Sequence, residues 1–249
     1  MRSSSTAFRT PRRYLENRGS TEGGDTMIVS LDIETIPNVA MLDKLPEPEC
    51  TDSRIKDPAK IAANIAEKKA GQVEKMALDP LYGRVLCVAL VGEGPEGISN
   101  CPILPEANDD TERKLIQWLF EEHLNNPELR LVTWNGNGFD LPFIYRRAMA
   151  LGVSPKHFGA PPLAHWTQRY KTDHHIDMMQ AWGVAGYKEF TKLDSVARAL
   201  LGESKCEIDV TTFAEKMKTQ EGRDEIVKYC IQDTALVMKI YERALGTLF

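Results

Sequence analysis

Short apolar runs alternate with longer amphipathic stretches along the chain from Met27 onward. Runs rich in Ile, Val and Leu predict β-strands at 28–33, 84–91, 98–104 and 129–134. The turn-rich sequence GEGPEG separates the second run from the third, which indicates a β-hairpin between them. Three strands in succession, a helix and then another strand predict an α/β fold.

Helical periodicity is clearer than the strand signal. The apolar positions predict helices at 57–75, 110–124, 139–151, 191–201 and 224–245. The third and fourth helices end at Gly152 and Gly202, and the fourth opens with Thr191 and Asp194, which resemble a capping box. The segment 41–80, with a start rich in Pro and Glu and a charged helix, is predicted to be an insertion between the first two strands.

Length and composition predict a single globular domain of a soluble protein. The chain has 249 residues, which suffices for a single large core, and it is 42% hydrophobic and 27% charged. No run reaches the roughly 18 apolar residues of a membrane span, so we expect a cytoplasmic protein without a membrane partner. The formal charge of −5 provides no global basic field for nucleic acid, although bound cations would offset clustered carboxylates.

The first 26 residues differ in composition from the rest. Residues 1–26 are rich in Ser, Arg and Gly and predict a disordered tail, with residues 27–249 forming the domain. Their arginines suggest a transit peptide, which the acidic residues of the tail disfavour. The simpler interpretation is that Met27 is the real start, or that the tail is a leader of no structural role.

The five cysteines form no C-x-x-C pair and lie near no histidine at the spacing of zinc ligands. We therefore expect reduced cysteines that mostly fill the core.

A first carboxylate motif ends the first predicted strand, in the sequence MIVSLDIETIP. Asp32 and Glu34 are two residues apart in a strand, so they project from the same face. Two adjacent carboxylates repel each other, and a hard divalent cation is their natural compensation. The pattern is weak by itself, because Asp110 and Glu112 repeat it at the start of a predicted helix, where acidic residues cap the helix and complement its dipole.

A second motif, TWNGNGFD, lies between a strand and a helix. Gly136 and Gly138 allow a tight turn or a close approach to a ligand, and Asp140 falls in the first turn of the helix. An ordinary helix-capping Asp remains the alternative.

A third motif, YCIQD, lies in the last predicted helix. Tyr229 and Asp233 are four residues apart and therefore share a face that is otherwise largely apolar. An Asp on such a face requires a partner or a metal ion, unless it is a surface Asp beside a half-buried Tyr.

Taken together, D-x-E on a first strand, N-x-x-x-F-D at a strand-to-helix loop and Y-x-x-x-D on the C-terminal helix resemble a known family. The chain is similar to the 3'-5' exonuclease domain of family B DNA polymerases, in the DEDDy branch of the ribonuclease H-like exonucleases, and most of all to stand-alone exonucleases related to that domain. The resemblance covers about 27–249, and KLDSVARALLGESK at 192–205 is similar to the helix before the third motif. It implies a ribonuclease H-like fold, with a mixed central sheet of three antiparallel strands followed by parallel strands, flanked by helices.

The resemblance also implies two divalent cations, Mg²⁺ or Mn²⁺, and phosphodiester hydrolysis. Asp32 would bridge both ions, Glu34 and Asp233 would complete the site of the ion that binds the attacking water, and Asp140 would hold the second ion. Tyr229 would orient that water. The implied products are nucleoside 5'-monophosphates released from a single-stranded 3' end.

Further residues carry weaker expectations. Candidate contacts to nucleic acid are Trp134, Asn135, Phe139, Arg146 and Arg147, with packing or a solvated helix face as the alternative for the aromatic and arginine side chains. Asp177 is either a group that supports the metal ligands or a helix cap. His174 and His175 point to opposite faces of a strand, which disfavours a shared transition-metal site.

Two rival functions stay open. A module of the same fold could bind nucleic acid without cutting it, although the complete set of four carboxylates and a tyrosine argues against lost activity. A 3'-5' exoribonuclease would need the same acidic residues, and the contacts to a 2'-hydroxyl that separate RNA from DNA have no motif here.

Overall fold

The computed structural model describes residues 26–92, 98–168, 171–183 and 191–249. The predicted disordered tail lies outside the described residues as far as residue 25, as does most of the predicted hairpin turn, at 93–97.

A single five-stranded sheet forms the centre of the described part of the chain. Its strands are β1 (Met27–Pro37), β2 (Gly83–Gly92), β3 (Ile98–Asn100), β4 (Leu129–Thr133) and β5 (His175–Asp177). The spatial order is β3-β2-β1-β4-β5, in which β3, β2 and β1 pair antiparallel while β4 and β5 run parallel to β1. The predicted α/β fold with a mixed sheet is confirmed. The sequence did not predict β5, because three residues are too few to carry a periodic signal.

Eight α-helices are present among the described residues. They are α1 (Pro58–Lys75), α2 (Asp109–Leu119), α3 (Asp140–Ala150), α4 (Leu163–Trp166), α5 (Met178–Trp182), α6 (Leu193–Leu201), α7 (Phe213–Lys216) and α8 (Gln220–Ala244). A π-helical turn, Phe120–Leu124, extends α2 and accounts for the longer helix predicted there. None of the helices in the described ranges combines the length and apolarity needed to cross a bilayer.

The predicted capping box at the start of α6 is wrong. The cap position is Lys192, whose side chain makes no capping hydrogen bond. The Asp194 carboxylate instead accepts a hydrogen bond from the backbone N of Lys205 at 3.0 Å, because the loop after α6 folds back over the start of the helix. Gly202, at φ +69°, ends α6 as predicted.

Helices cover both faces of the sheet around β2. Every residue from 83 to 90 is buried, and neighbouring residues of a strand face opposite sides, so neither face of β2 meets solvent there. Helix α8 packs against β1 and β2, and α2 and α3 also contact β2. The segment predicted as an insertion, 41–80, contains α1, none of whose residues is buried.

Strand β1 runs farther than the sequence predicts. It continues past Ile33 to Pro37, because its pairing with β2 extends to Pro37 opposite Gly83, and the pairing register shifts between Glu34 and Thr35. Such a β-bulge bends a strand and redirects its side chains. The first carboxylate motif therefore lies within a continuous strand, next to a bulge, and not at the end of a strand.

Candidate active site

The first carboxylate motif lies on the central strand of the sheet. Asp32 and Glu34 are half-buried on β1, and their partners across the antiparallel pair are Ala89 and Cys87 of β2. Paired residues project from the same face of a sheet, so the two carboxylates share a face with the Cys87 side chain. Both are held by the most extensively paired strand of the sheet, which makes their positions rigid.

The second motif reaches β1 through a hydrogen bond. Asp140 is the first residue of α3, and its buried carboxylate accepts a hydrogen bond from the backbone N of Ile33 at 3.2 Å. The parallel pairing of β1 with β4 ends at Ser30, so the Asp140 carboxylate satisfies an N–H beyond that pairing. This contact places the start of α3 between the positions of Asp32 and Glu34.

The third motif approaches the same face from α8. Tyr229 and Asp233 are both buried, and Cys230 between them lies with its Sγ 3.8 Å from Oδ2 of Asp32. The carboxylates of Asp32 and Glu34 both lie close enough to Asp233 for their charges to interact. The structure thus brings all three predicted motifs together.

Burial, together with repulsion from neighbouring carboxylates, raises the pKa of Asp32, Glu34 and Asp140. Burial raises the pKa of Asp32 well above its ordinary value, and the neighbouring Glu34 and Asp233 raise it further. Burial raises the pKa of Glu34 to about 8; Lys205 opposes that shift, while Asp233 and Asp140 add to it. The pKa of Asp140 is raised well above its ordinary value by burial and then by Asp32. Without a bound cation, protons are needed to relieve this repulsion.

Lys205 is a residue of the site that sequence reasoning missed. Its Nζ lies 2.5 Å from Oδ2 of Asp233 and 5.3 Å from the centre of the Tyr229 ring. Burial lowers the pKa of Lys205, but Asp233 outweighs this effect and raises it above the ordinary value, so the ammonium group is charged. Lysine in an irregular loop carries no periodic signal, and only the resemblance of 192–205 to a family helix pointed to this segment.

The donor set fits hard divalent cations. Asp32, Glu34, Asp140 and Asp233 offer only carboxylate oxygens, which Mg²⁺ and Mn²⁺ prefer. Oδ1 of Asp233 is buried and has no hydrogen-bond partner among the described residues, so it is available to a cation. A cation would also stabilise the ionised carboxylates that repel one another without it.

Asp177 holds the loop that leads to Asp140. Its carboxylate accepts hydrogen bonds from the backbone N of Asn135 and of Asn137, both at 3.0 Å, and from the backbone N of Met179 and Gln180 at 3.1 and 3.3 Å. The predicted helix cap is therefore present at α5, and the same side chain also fixes the Asn-Gly loop.

That loop makes a tight turn. Asn135 has φ +69°, the left-handed conformation that Asn tolerates better than most residues. A Cβ on Gly136 would lie 2.2 Å from Oγ1 of Thr133, and the Gly136 backbone N donates a hydrogen bond to this same Oγ1. The motif glycine is therefore required by close packing against β4.

His174 and His175 make different contacts within the protein. Nε2 of His175 lies 2.8 Å from Oγ1 of Thr133, and its Nδ1 lies 3.0 Å from the carbonyl O of Trp166. His174 stacks on His165 with ring centres 4.0 Å apart. Both nitrogens of His175 therefore have polar partners within the protein.

The candidate contacts to nucleic acid differ in how exposed their side chains are. Arg146 is exposed, Asn135 is half-buried, and Phe139 is half-buried against Phe143. Trp134 is half-buried and its Nε1 donates a hydrogen bond to the carbonyl O of Thr191.

Arg147 is buried and paired with Glu112, so the hypothesis of a phosphate contact at Arg147 is wrong. Glu112 lies in the first turn of α2, as the sequence predicts, but Asn108 caps that helix and the Glu112 side chain is fully buried.

Replacing Asp177 by Asn is expected to loosen the loop before Asp140. One carboxylate oxygen accepts from Asn135 and the other from Asn137, so the amide NH₂ of Asn would face one N–H and lose that hydrogen bond. We expect a loss of about 1–3 kcal/mol in the free energy of unfolding, measured by urea denaturation. The exposed Asp173→Asn is the control, and an equal effect of the two variants would contradict this role.

Comparison with known proteins identifies a matching protein family. Residues 78–245 match the family model described as a predicted 3'-5' exonuclease related to the exonuclease domain of PolB. The match includes the second and third motifs, and the first motif precedes it.

Curated relatives are archaeal DNA polymerases. DNA polymerase 1 of Sulfolobus acidocaldarius is 32% identical over 140 residues, 53% of this chain and 15% of the polymerase. DNA polymerase 1 of Aeropyrum pernix is 29% identical over 171 residues, 64% of this chain and 17% of the polymerase. The chain therefore matches less than a fifth of these relatives.

Among solved structures, the chain resembles the family B DNA polymerase of the hyperthermophilic archaeon Pyrobaculum calidifontis. The TM-score is 0.57 at 18% sequence identity, covering 88% of this chain and 24% of the polymerase. This likeness supports the fold, and together with the family match it confirms the resemblance that the three motifs predicted.

Proposed function

Because the chain belongs to the family of predicted 3'-5' exonucleases related to the exonuclease domain of PolB, we propose that it hydrolyses the 3' ends of single-stranded DNA. The proposed products are nucleoside 5'-monophosphates, and the proposed mechanism is the two-metal hydrolysis of the DEDDy branch. The observation that carries the proposal is the convergence of Asp32, Glu34, Asp140 and Asp233 from three separate elements onto one face of β1.

Under this proposal the carboxylates hold two divalent cations. Asp32 would contact both ions, Glu34 and Asp233 would complete the site of one, and Asp140 would hold the other. The ions, when bound, would lower the pKa of the attacking water and stabilise the leaving 3' oxygen. The strand position of Asp32 and the hydrogen bond from Ile33 to Asp140 would keep these ligands in place.

Tyr229 would orient the attacking water. Burial and the nearby Asp233 raise the pKa of Tyr229 above its ordinary value, so its hydroxyl stays protonated near neutral pH. A protonated phenol donates or accepts a hydrogen bond but does not act as a strong base. The ring packs edge-on against Phe213, with centres 5.9 Å apart, which limits its rotation.

Lys205 is expected to compete with a cation for Asp233. Its ammonium group contacts Oδ2 of Asp233 and provides the nearest positive charge among the described residues. In Lys205→Met, we expect lower thermal stability without metal, because buried Asp233 loses its charged partner. Addition of Mn²⁺ should restore stability and raise the melting temperature more in Lys205→Met than in the parent. The exposed Lys239→Met is the control, and an equal Mn²⁺ response in the three proteins would contradict the competition.

The nuclease proposal is tested with end-labelled oligonucleotides. The purified protein is incubated with single-stranded DNA, single-stranded RNA and duplex DNA, each with Mg²⁺, Mn²⁺ or EDTA. We expect stepwise shortening from the 3' end of single-stranded DNA that requires a divalent cation and stops at a blocked 3' end. Preferential shortening of RNA would favour the exoribonuclease alternative.

Two variants in α8 assign any activity to the site. Asp233→Ala removes a buried carboxylate of the cluster, whereas Asp224→Ala removes an exposed carboxylate of the same helix. Asp233→Ala should abolish the shortening and Asp224→Ala should keep it. If neither nucleic acid is shortened with any metal while the protein is folded, the proposal fails and the non-catalytic binding module becomes the better explanation.

A further inference from the structure

A cluster of three thiols lies directly beside the carboxylates. The Sγ atoms of Cys87, Cys101 and Cys230 all lie within 4.8 Å of one another. Cys87 and Cys230 are completely buried, and Cys101 is half-buried. The proposed hydrolysis uses none of these thiols.

Three separate elements build this cluster. Cys87 is in β2 and Cys230 is in α8. Cys101 follows β3, where the backbone hydrogen bond from Val88 to Pro102, at 3.3 Å, keeps the chain beside β2. The three sulfurs are therefore held in place by the sheet and its covering helix, and not by a flexible loop alone.

The spacing of the sulfurs is close to that of a thiolate metal site. In a tetrahedral zinc site with Zn–S bonds of about 2.3 Å, neighbouring sulfurs lie about 3.8 Å apart. Sulfurs that all lie within 4.8 Å of one another reach this geometry with small side-chain movements. Thiolates select thiophilic ions, whereas the adjacent carboxylates select hard ions.

We propose that Cys87, Cys101 and Cys230 form a second metal site, which binds one thiophilic divalent cation of the Zn²⁺ and Cd²⁺ class. Binding replaces three S–H protons by three metal–sulfur bonds and releases the three protons to solvent, without any oxidation. Oδ2 of Asp32, 3.8 Å from Sγ of Cys230, is the adjacent oxygen donor for a fourth position.

A disulfide explains the cluster less well. A disulfide joins two sulfurs and leaves the third without a role, whereas one ion engages all three.

The proposed thiol site would lie directly beside the carboxylate site. Cys230 is also within 4.8 Å of ligand atoms of Asp32 and Glu34. A thiophilic ion that recruits Asp32 would withdraw it from the carboxylate site, so we expect Zn²⁺ and Cd²⁺ to inhibit Mg²⁺-dependent hydrolysis. This inhibitory effect rests on the proposed function, whereas the binding of the ion does not.

The binding is tested by titrating the full chain with Cd²⁺ in the presence of a phosphine reductant. Thiolate-to-cadmium charge transfer produces an ultraviolet absorption that carboxylate ligands do not produce. We expect this absorption to saturate at one ion per chain in the parent and in the double variant Cys50→Ala/Cys206→Ala, which removes the two cysteines outside the cluster. Cys101→Ala should weaken Cd²⁺ binding at least about tenfold, because one of three sulfur ligands is lost.

A second measurement needs no variant. Alkylation by iodoacetamide, followed by mass spectrometry, should slow at least about tenfold at Cys101 when Cd²⁺ is added, and should not change at Cys206. A missing charge-transfer band, a band that survives Cys101→Ala unweakened, or an unchanged alkylation rate at Cys101 would overturn the proposed site.

The inhibition is measured separately with the labelled DNA. Stoichiometric Cd²⁺ should suppress Mg²⁺-dependent shortening at least about tenfold in the parent and much less in Cys101→Ala. A protein without nuclease activity would contradict the proposed function, but the absorption titration would still decide the thiol site.

Discussion

Replacing Glu112 by Gln is expected to lower the free energy of unfolding by about 3–5 kcal/mol, because it leaves the buried Arg147 without its countercharge and Arg84 with only the exposed Asp109. Glu112 is completely buried, and Arg84 and Arg147 are at most 4% exposed. One carboxylate oxygen accepts from Nε of Arg147 and from the backbone N of Val85, both at 2.9 Å. The other accepts from Nη2 of Arg147 at 2.8 Å and from Nη1 of Arg84 at 3.2 Å.

The network also connects the elements around the candidate active site. Arg84 pairs with Ile36 near the far end of β1, and its Nη2 donates a hydrogen bond to Oδ1 of Asn38 at 3.0 Å. Arg147 lies in α3, the helix that starts with Asp140, and its Nη1 donates to the carbonyl O of Pro80 at 3.0 Å. The loss of Glu112 should therefore loosen α3 as well as destabilise the fold.

The control is Asp110→Asn, in the other carboxylate of the same D-x-E pattern. Asp110 is exposed and pairs with Arg113 on the surface, so its replacement should change the unfolding free energy by less than about 0.5 kcal/mol. Both variants are measured by urea denaturation with a common slope. Similar effects of Glu112→Gln and Asp110→Asn would contradict the buried network.

Replacing Asp32 by Asn is expected to abolish hydrolysis while stabilising the metal-free protein. The neutral amide keeps the shape of the side chain but removes a buried carboxyl group whose pKa is raised by burial, Glu34 and Asp233, and whose charge in turn raises the pKa of Asp140. At neutral pH without metal, we expect a gain of about 1–2 kcal/mol in the free energy of unfolding. The rate of 3'-end shortening should fall at least about a thousandfold, since a ligand to both proposed ions is lost.

Metal titration separates this prediction from a simple folding effect. Mn²⁺ should raise the melting temperature of the parent and have little effect on Asp32→Asn, because a ligand that binds only the folded state stabilises it. Asp110→Asn should behave as the parent in stability, metal response and activity. A metal-free Asp32→Asn that is less stable than the parent would show that the carboxylates do not repel one another as the structure indicates.

The difference between Asp32 and Asp110 shows how far the sequence alone reaches. Both begin a D-x-E pattern, and the surrounding apolar run correctly placed Asp32 on a strand and Asp110 in the first turn of a helix. The sequence did not predict that Glu112 is buried between two arginines. Arg84 and Arg147 are 28 and 35 residues away from it along the chain, and local periodicity does not indicate contacts over such separations. The same limit applies to Lys205, whose contact with Asp233 depends on the path of an irregular loop.

The sequence by itself determined the α/β class, the strand that carries Asp32, and the helix face shared by Tyr229 and Asp233, because residue spacing sets which side chains lie together on a strand or helix. It also carried the family resemblance through three short motifs. Only the tertiary structure decided that Asp177 holds the loop before Asp140, that Glu112 is buried between two arginines, and that three distant cysteines meet beside Asp32. Those contacts depend on how separate elements pack against one another, and spacing along the chain does not encode that packing.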